Sequence, residues 1–187
     1  MFETKNKSTF DFPLKSNTVV KDTFTWDEVK SFLDKEYMRR AEYIADIVLA
    51  MKERYGEEVY DIVRKVIYNI GFEKGKTRAK IVKEKGHSND LDSLAELVSH
   101  RLSRLYYGTS PEVNGDKLVI KETYCPLPIK WKEMGMENDE IIRFCLLFDQ
   151  VDKGMVEGYN DNFAAELTGC KGLSDCGFCQ MVVRVKK

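Results

Sequence analysis

Apolar residues recur at steps of three and four through the first half of the chain, a spacing that predicts helices. The letters TWDE form a capping box, with Thr25 as N-cap and the Glu28 side chain reaching back to it. The first helix is predicted to end at Gly56, a residue suited to the left-handed conformation. A second helix begins near Glu57, and a third is predicted from about Asp90 to Tyr106. The second is expected to bury Val59, Ile62, Val63, Val66, Ile67 and Ile70.

Two glycines, Gly71 and Gly75, lie one turn apart late in the second helix. Ala79 and Val82 continue the apolar stripe beyond them. We therefore expect a smooth helical face that another element approaches closely, rather than a helix end.

The period changes in the second half of the chain. In VNGDKLVIKETYC an Asn-Gly pair, a strong hairpin signal, precedes a strand-like run that ends at CPLP. A short helix around Trp131 and another over about 138–151 follow. The segments YNDNFAAELTGC and CGFCQMVVRVKK then read as two antiparallel strands.

Helices followed by strands predict an α+β fold, in which an N-terminal helical half packs on a small antiparallel sheet. Residues 1–24 are expected to form a flexible N-terminal arm, and residues 25–187 a single α+β domain. Within it, 25–107 is helical and 108–187 is a sheet with short helices. The three helices should pack on a sheet that includes Leu118–Tyr124 and Phe178–Val185.

Composition narrows the classes of function. The net charge of −1 argues against nucleic acid as a partner, which requires a basic face. No apolar run suggests a membrane span, and the first residues lack the apolar stretch of a signal peptide. A cytoplasmic protein with reduced thiols is expected, and five cysteines cannot all pair within the chain.

Two cysteines in SDCGFC begin the last predicted strand. Alternation places Cys179 on the face of Met181, Val183 and Val185, as a small apolar core residue, whereas Cys176 lies beside a polar turn. An extended strand points the two thiols to opposite faces, which disfavours a zinc knuckle. Cys176 is therefore the candidate functional thiol.

Three further residues have both a structural and a functional interpretation. Arg101 falls inside the apolar stripe of the third helix; it is either a snorkelling arginine at the core margin or a guanidinium that grips a carboxylate in a cavity. Cys145 and Asp149 lie one turn apart on a helix face, where a thiol and a carboxylate can converge. The alternatives are a core thiol and a structural acid at the helix end.

A family resemblance rests on four segments: CPLPIKWKEMGM, FCLLFDQVDKGMVEGYNDNFAAELTGC, GLSDCGF and, upstream, RRAEYIADIVLAMKERYGEEVYDIVRKVIYNIGFEKG. From about Trp26 onward the chain resembles the L-2-amino-thiazoline-4-carboxylic acid hydrolase family, which is itself similar to the ligand-binding domains related to 4-vinyl reductases. The resemblance implies helices on a small sheet and, for some members, hydrolysis of a thiazoline ring. Its matching positions here are Cys125, Cys145, Asp149, Gly158, Asn160 and Cys176. The chain departs from the pattern in its extra Cys179 and in Gly177, where some relatives carry a carboxylate.

The implied substrate is a cyclic isothiourea that bears a carboxylate. Its hydrolysis requires attack at the C=N carbon by a thiolate or by water that a carboxylate activates. Catalytic roles are predicted for Cys125, Asp149 and Cys176. Contact with a small carboxylate-bearing molecule is predicted for Arg101, Trp131, Cys145 and Asn160, although the ordinary place of a lone Trp is in a core.

Two alternatives to a hydrolase stay open. One is a small-molecule-binding or sensor domain of the same shape. The other is a protein in which Cys125, Cys145 and Cys176 hold zinc or an iron–sulfur centre. The favoured interpretation includes no cofactor and no metal, and the sequence gives no signal for an oligomeric state.

Overall fold

The computed structural model describes residues 23–169 and 178–186, which form an α+β fold as predicted. The elements follow in the order α1 (Trp26–Tyr55), α2 (Glu58–Glu84), α3 (Leu91–Val98), α4 (Arg101–Tyr106), β1 (Ser110–Asn114), β2 (Lys117–Glu122), α5 (Pro126–Glu133), α6 (Asn138–Tyr159), β3 (Phe163–Gly169) and β4 (Cys179–Val185).

The predicted ends of the first helix are confirmed. The Thr25 side chain accepts a hydrogen bond from the Glu28 backbone N–H, and the Glu28 carboxylate accepts one from the Thr25 N–H at 2.9 Å. Gly56 follows the last turn with φ +81°, and its N–H donates to the Lys52 carbonyl. α1 is therefore capped at both ends by local sequence.

The sheet is antiparallel, with strand order β1-β2-β4-β3. Its first hairpin turns at the predicted Asn-Gly pair: Asn114 pairs with Lys117, and Gly115 between them has φ +62°. In the centre of the sheet Leu118, Ile120 and Glu122 pair with Val183, Met181 and Cys179, respectively. Directly paired residues point to the same face, so Glu122 and Cys179 are neighbours at one end of the core-facing side.

Two separate apolar clusters hold the chain together. One joins the sheet to α3, α6 and the C-terminal part of α2; it includes Leu94, Leu118, Val156 and Val183. The other joins α1, α5, the start of α2 and the start of α6. Its members are Ala41, Ala45, Val48, Val59, Tyr60, Trp131, Ile141, Phe144 and Leu147. α6 takes part in both clusters and so connects the helical layer to the sheet.

The predicted close approach at Gly71 and Gly75 is confirmed, and the element that approaches is α6. A Cβ atom at Gly71 would lie 2.0 Å from the Val151 carbonyl oxygen. The contact is reciprocal, since a Cβ at Gly154 would lie 2.2 Å from the Tyr68 carbonyl oxygen. Glycines on both helices thus bring the two backbones into direct contact.

Several sequence predictions about the helices are wrong. The last long helix continues to Tyr159 instead of ending near Val151, because Gly154 and Gly158 face α2 and do not break it. The third predicted helix is two helices that meet at Ser99 and His100. Ser99 ends α3, and the His100 ring nitrogen caps α4 by accepting from the Ser103 N–H.

Burial also departs from the prediction. Ile62, Val66 and Ile70 of α2 are exposed rather than buried, because the close contact with α6 uses the glycine face of the helix. α1 packs mainly on α5 and α2 and not on the sheet. α1 and the start of α2 therefore pack with α5 and α6, whereas α3 and the C-terminal part of α2 pack on the sheet directly.

Candidate active site

A cavity of about 340 Å³ opens between the two apolar clusters. Trp131, Cys145 and Phe148 line it from the helical side, and Ile120 and Met181 line it from the sheet. Its remaining lining residues are Tyr37, Val98, Tyr107, Glu122, Cys125, Pro126, Leu127, Pro128, Asp149, Val151, Asp152, Met155, Leu167, Cys179 and Gln180. A mostly apolar concave space with a few polar groups is typical of a small-molecule site.

The structure brings four of the predicted site residues to this cavity. Cys125 is the N-cap of α5, where Pro126 begins the helix, and Trp131 lies on the same helix. Cys145 and Asp149 are one turn apart on α6, as predicted, although Asp149 lies inside the helix and not at its end. Trp131 is fully buried in the core, where its indole N–H donates to the Ala41 carbonyl at 3.2 Å, and it also borders the cavity.

Two predicted site residues, Arg101 and Asn160, do not line the cavity. Arg101 is the first residue of α4 and is exposed, so its predicted contact with a cavity is wrong; the break between α3 and α4 turns it out of the apolar stripe. Asn160 caps the end of α6, where its amide donates to the Asn89 carbonyl at 2.6 Å and its oxygen accepts from the Asn162 N–H. It lines a separate groove and not the cavity. Cys176 lies outside the described residues.

Three carboxyl groups face the cavity: Glu122 from β2, and Asp149 and Asp152 from α6. Desolvation by the surrounding protein, with the nearby Asp152 charge as the second cause, raises the pKa of Glu122 to about 7. The same two causes raise the pKa of Asp149 to about 6. Desolvation also raises the pKa of Asp152 to about 6, against the charges of Arg78 and Lys74. These acids change charge near neutral pH, as catalytic acids and bases require.

A buried hydroxyl positions the Glu122 carboxylate. Thr109 lies in the connection between α4 and β1, and its hydroxyl is 3.1 Å from a Glu122 oxygen. Its oxygen is also 2.6 Å from the Ser103 hydroxyl, which is able to donate to it. This hydrogen bond favours the ionised carboxylate and opposes the rise in the pKa of Glu122.

We expect Thr109→Val to raise the pKa of Glu122 above its value of about 7, because the hydrogen bond to the carboxylate is lost. Carbon-detected NMR titration of the glutamate carboxyl groups measures this shift. Thr109→Ser keeps the hydroxyl and should restore the original titration. Thr77→Val, which removes a hydroxyl on the exposed side of α2, is the control and should leave it unchanged. An unaltered Glu122 titration in Thr109→Val would contradict the positioning role.

Three cysteines line the cavity: Cys125, Cys145 and Cys179. Cys179 is partly accessible and pairs across the sheet with Glu122. The prediction that Cys179 lies on the core-facing side of the sheet is therefore confirmed. At this end of the sheet, however, that side borders the cavity. A thiol and a carboxyl group consequently lie side by side on the cavity floor.

A cluster of tyrosines joins the cavity wall to the start of α1. Asp34 accepts hydrogen bonds from the Tyr106 and Tyr124 hydroxyls at 2.8 and 2.7 Å and pairs with Lys30 at 2.9 Å. The neighbouring Tyr107 lines the cavity, and burial together with a hydrogen bond to Tyr37 raises its pKa. This part of the cavity wall is therefore held in place by residues from the N-terminal turns of α1, which are far in sequence from the other lining residues.

The family model for L-2-amino-thiazoline-4-carboxylic acid hydrolases matches residues 36–180. The chain belongs to this family. The matched range includes the described residues that line the cavity except Met181, and the resemblance inferred from the four sequence segments is confirmed. Membership supports a hydrolase-like role at the level of the family.

Comparison with solved structures shows a related fold. A trafficking protein particle complex subunit 3 from Naegleria fowleri, covalently bound to palmitic acid, superposes with a TM-score of 0.53 at 15% sequence identity. The match covers 81% of this chain and 96% of that protein. Comparison of this chain with curated protein sequences gave no match.

The sequence analysis did not identify Glu122 and Asp152 as site residues, although the sequence pattern around each of them indicates that it is unusual or well placed. Glu122 continues the alternation of Leu118 and Ile120 and so falls on the buried face of β2, where an acid is unusual. Asp152 follows Asp149 by three residues and therefore shares its side of the helix.

Within residues 23–169 and 178–186, no group of three or more His, Cys, Asp or Glu side chains is arranged to hold a metal ion. In the same residues, no helix combines the length and apolar character needed to cross a bilayer.

Proposed function

We propose that this protein is a hydrolase that opens a cyclic C=N substrate, such as a thiazoline, in the cavity between the two clusters. Family membership supports the reaction class. The observation that carries the proposal is the convergence of Asp149 and Glu122, with pKa values of about 6 and 7, on one cavity. Such carboxyl groups are able to accept and donate protons at neutral pH.

The two acids have different roles because their pKa values differ. Asp149, with the lower pKa, is ionised first as pH rises and acts as the general base on water. The water oxygen bonds to the C=N carbon while its proton passes to Asp149. Glu122 keeps its proton to higher pH and delivers it to the ring atom that leaves as the bond to the former C=N carbon breaks. Proton exchange with solvent then restores both groups.

The thiols and the aromatic wall are assigned supporting roles. Cys125 at the N-terminus of α5 is retained as a proposed catalytic group, because a helix N-terminus favours the thiolate. Cys176 is retained on the sequence pattern alone. Trp131 and Cys145 are proposed to contact the ring of the substrate from the helical side.

Turnover against a panel of small heterocycles tests the proposal. The panel contains 2-amino-thiazolines with and without a 4-carboxylate, 2-methylthiazoline and cyclic amides, and a thiol-reactive dye detects opening of the thiazolines. The small carboxylate-bearing ligand expected from the sequence is compared directly with its carboxylate-free analogue. Failure to open any ring, with the protein folded and the cavity able to bind ligand, would contradict a hydrolase.

The dependence of kcat/KM on pH should be a narrow bell. Activity requires ionised Asp149 and so rises as pH passes about 6; it requires protonated Glu122 and so falls as pH passes about 7. Steady-state rates from pH 4.5 to pH 9, in buffers of constant ionic strength, measure this profile. A rate that stays constant from pH 5 to pH 9 would show that these acids do not carry the protons.

A second candidate function is covalent binding of an acyl chain. The cavity walls are mostly apolar, three thiols line them, and a protein of the same fold is covalently bound to palmitic acid. Mass spectrometry of the intact protein after incubation with palmitoyl-CoA tests it. A palmitoyl adduct that hydroxylamine removes, and that is absent from the corresponding Cys→Ala variant, would favour this function over hydrolysis.

A further inference from the structure

We propose that Asp152 anchors a cationic amidine group, so that the cavity selects protonated amidines and isothioureas over anionic ligands. This inference rests on the proposed function, since it assigns the substrate class of the same cavity. It also assigns a role to the one acid of the three that the hydrolytic step does not use.

The position of Asp152 fits an anchor. It lines the cavity from α6, one turn after Asp149, and its charge acts on both Asp149 and Glu122. Asp152 is exposed and lines the cavity, although desolvation by the surrounding protein raises the pKa of its carboxyl group. Within the described part of the chain, no hydrogen bond or ion pair to its carboxylate is seen. A ligand in the cavity therefore meets a carboxylate whose oxygens are available.

The charges around the cavity favour a cation. None of the described lining residues is Lys, Arg or His, whereas three are acids. Lys74 and Arg78 of α2 act on Asp152, and Lys153 of α6 acts on Asp149, but these three cations do not line the cavity. They keep the acids partly ionised from outside. With Arg101 exposed on α4, no described basic group is placed to hold a carboxylate inside.

An amidine or isothiourea group matches this arrangement. Its planar cation presents N–H donors that pair with the two oxygens of a carboxylate, and such charge-assisted pairs are among the strong hydrogen bonds. Protonation also makes the C=N carbon more electrophilic, which assists attack by the water that Asp149 activates. The apolar walls, including Trp131 and Phe148, are suited to the uncharged part of the ring.

Calorimetric titration with three ligands of the same shape tests the selection. Benzamidine is a cation, benzamide is neutral and benzoate is an anion. At pH 8, where the acids are ionised, we expect benzamidine to bind at least about tenfold more tightly than benzamide, the gain of a charge-assisted hydrogen bond. Benzoate should bind more weakly than both. Equal affinities, or a preference for benzoate, would overturn the proposal.

Proton linkage gives a second readout that needs no variant. A bound cation lowers the pKa of the acids beside it. Benzamidine should therefore release protons near pH 6 and none at pH 8.5, which titrations in buffers of different ionisation enthalpy measure. An anionic ligand would take up protons instead. Absence of proton release near pH 6 would contradict contact with the acids.

The variant Asp152→Asn keeps the size of the side chain and removes its charge. It should weaken benzamidine binding about tenfold or more and leave benzamide binding unchanged. Asp139→Asn, at the exposed start of α6, is the matched control and should bind both like the original protein. Unchanged benzamidine binding by Asp152→Asn would refute the anchor.

The test separates this inference from the hydrolase proposal. Benzamidine binding through Asp152 without turnover of any heterocycle would leave the anchor standing and remove the hydrolase. Turnover with no preference among the three ligands would do the reverse.

Discussion

Replacing Asp149 by Asn is expected to lower kcat/KM for the best thiazoline substrate by about 10²- to 10⁴-fold, the usual contribution of a general base. Asn is nearly the same size and shape but accepts no proton. The rise of activity through about pH 6 should disappear together with the rate, because this rise reports ionisation of Asp149. Steady-state kinetics across the pH range give both quantities.

Stability provides the control for this variant. The pKa of Asp149 is higher in the folded chain than its ordinary value of 3.8, so the fold favours the protonated group. The stabilisation that the folded protein gains from this carboxyl group is complete below about pH 4, where the group is protonated, and is lost as pH rises through about 6. Asp149→Asn should therefore be at least as stable as the original protein at pH 8, and lost activity cannot be attributed to unfolding. Asp139→Asn should keep full activity, and an active Asp149→Asn would remove Asp149 from the mechanism.

The features that the sequence predicts well are local ones. The hairpin at Asn114 and Gly115 depends on one turn and two alternating strands, so its register follows from neighbouring residues alone. The pairing of β3 with β4 is predicted for the same reason, although the helix before them is longer than expected.

Errors arise where tertiary contacts override a local signal. Gly154 and Gly158 look like helix breakers, yet the backbone of α2 occupies the space that their missing side chains leave. Conversely, the apolar spacing continues through Ser99 and His100, where the chain breaks. Arg104 stabilises the break by donating to the Ser99 carbonyl at 2.6 Å and to its hydroxyl at 3.0 Å. The spacing of apolar residues in the sequence gives no indication of this contact.

The candidate site was predictable only in part. Cys145 and Asp149 share a helix face, and the local period is enough to bring them together. The cavity itself is the gap between two apolar clusters, and an apolar residue has the same pattern in the sequence whether it fills a core or borders a gap. For this reason Cys179 was assigned to packing, whereas the structure places it beside Glu122 on the cavity floor.

The contact between α2 and α6 involves Val151 and Met155, which line the cavity, and Gly75→Ala should disrupt this contact. The new Cβ would lie 2.1 Å from the Met155 carbonyl oxygen and 2.7 Å from the Tyr159 nitrogen. Both are backbone atoms, so relief of the clash requires the two helices to separate. Overpacking of this kind costs about 1–3 kcal/mol, and here it opposes the gain of up to about 1 kcal/mol from the higher helix propensity of alanine.

Chemical denaturation should therefore show a lower free energy of unfolding for Gly75→Ala than for the original protein. Gly169→Ala is the control, since its Cβ would meet the Gln180 side chain at an ordinary 3.5 Å. Met155 lines the cavity and Asp152 lies one turn before it, so movement of α6 should also weaken benzamidine binding by the Gly75 variant. If Gly75→Ala is as stable as the original and binds benzamidine equally well, the interhelical contact does not position the acids. Loss of stability with binding intact would instead confine the contact to a structural role.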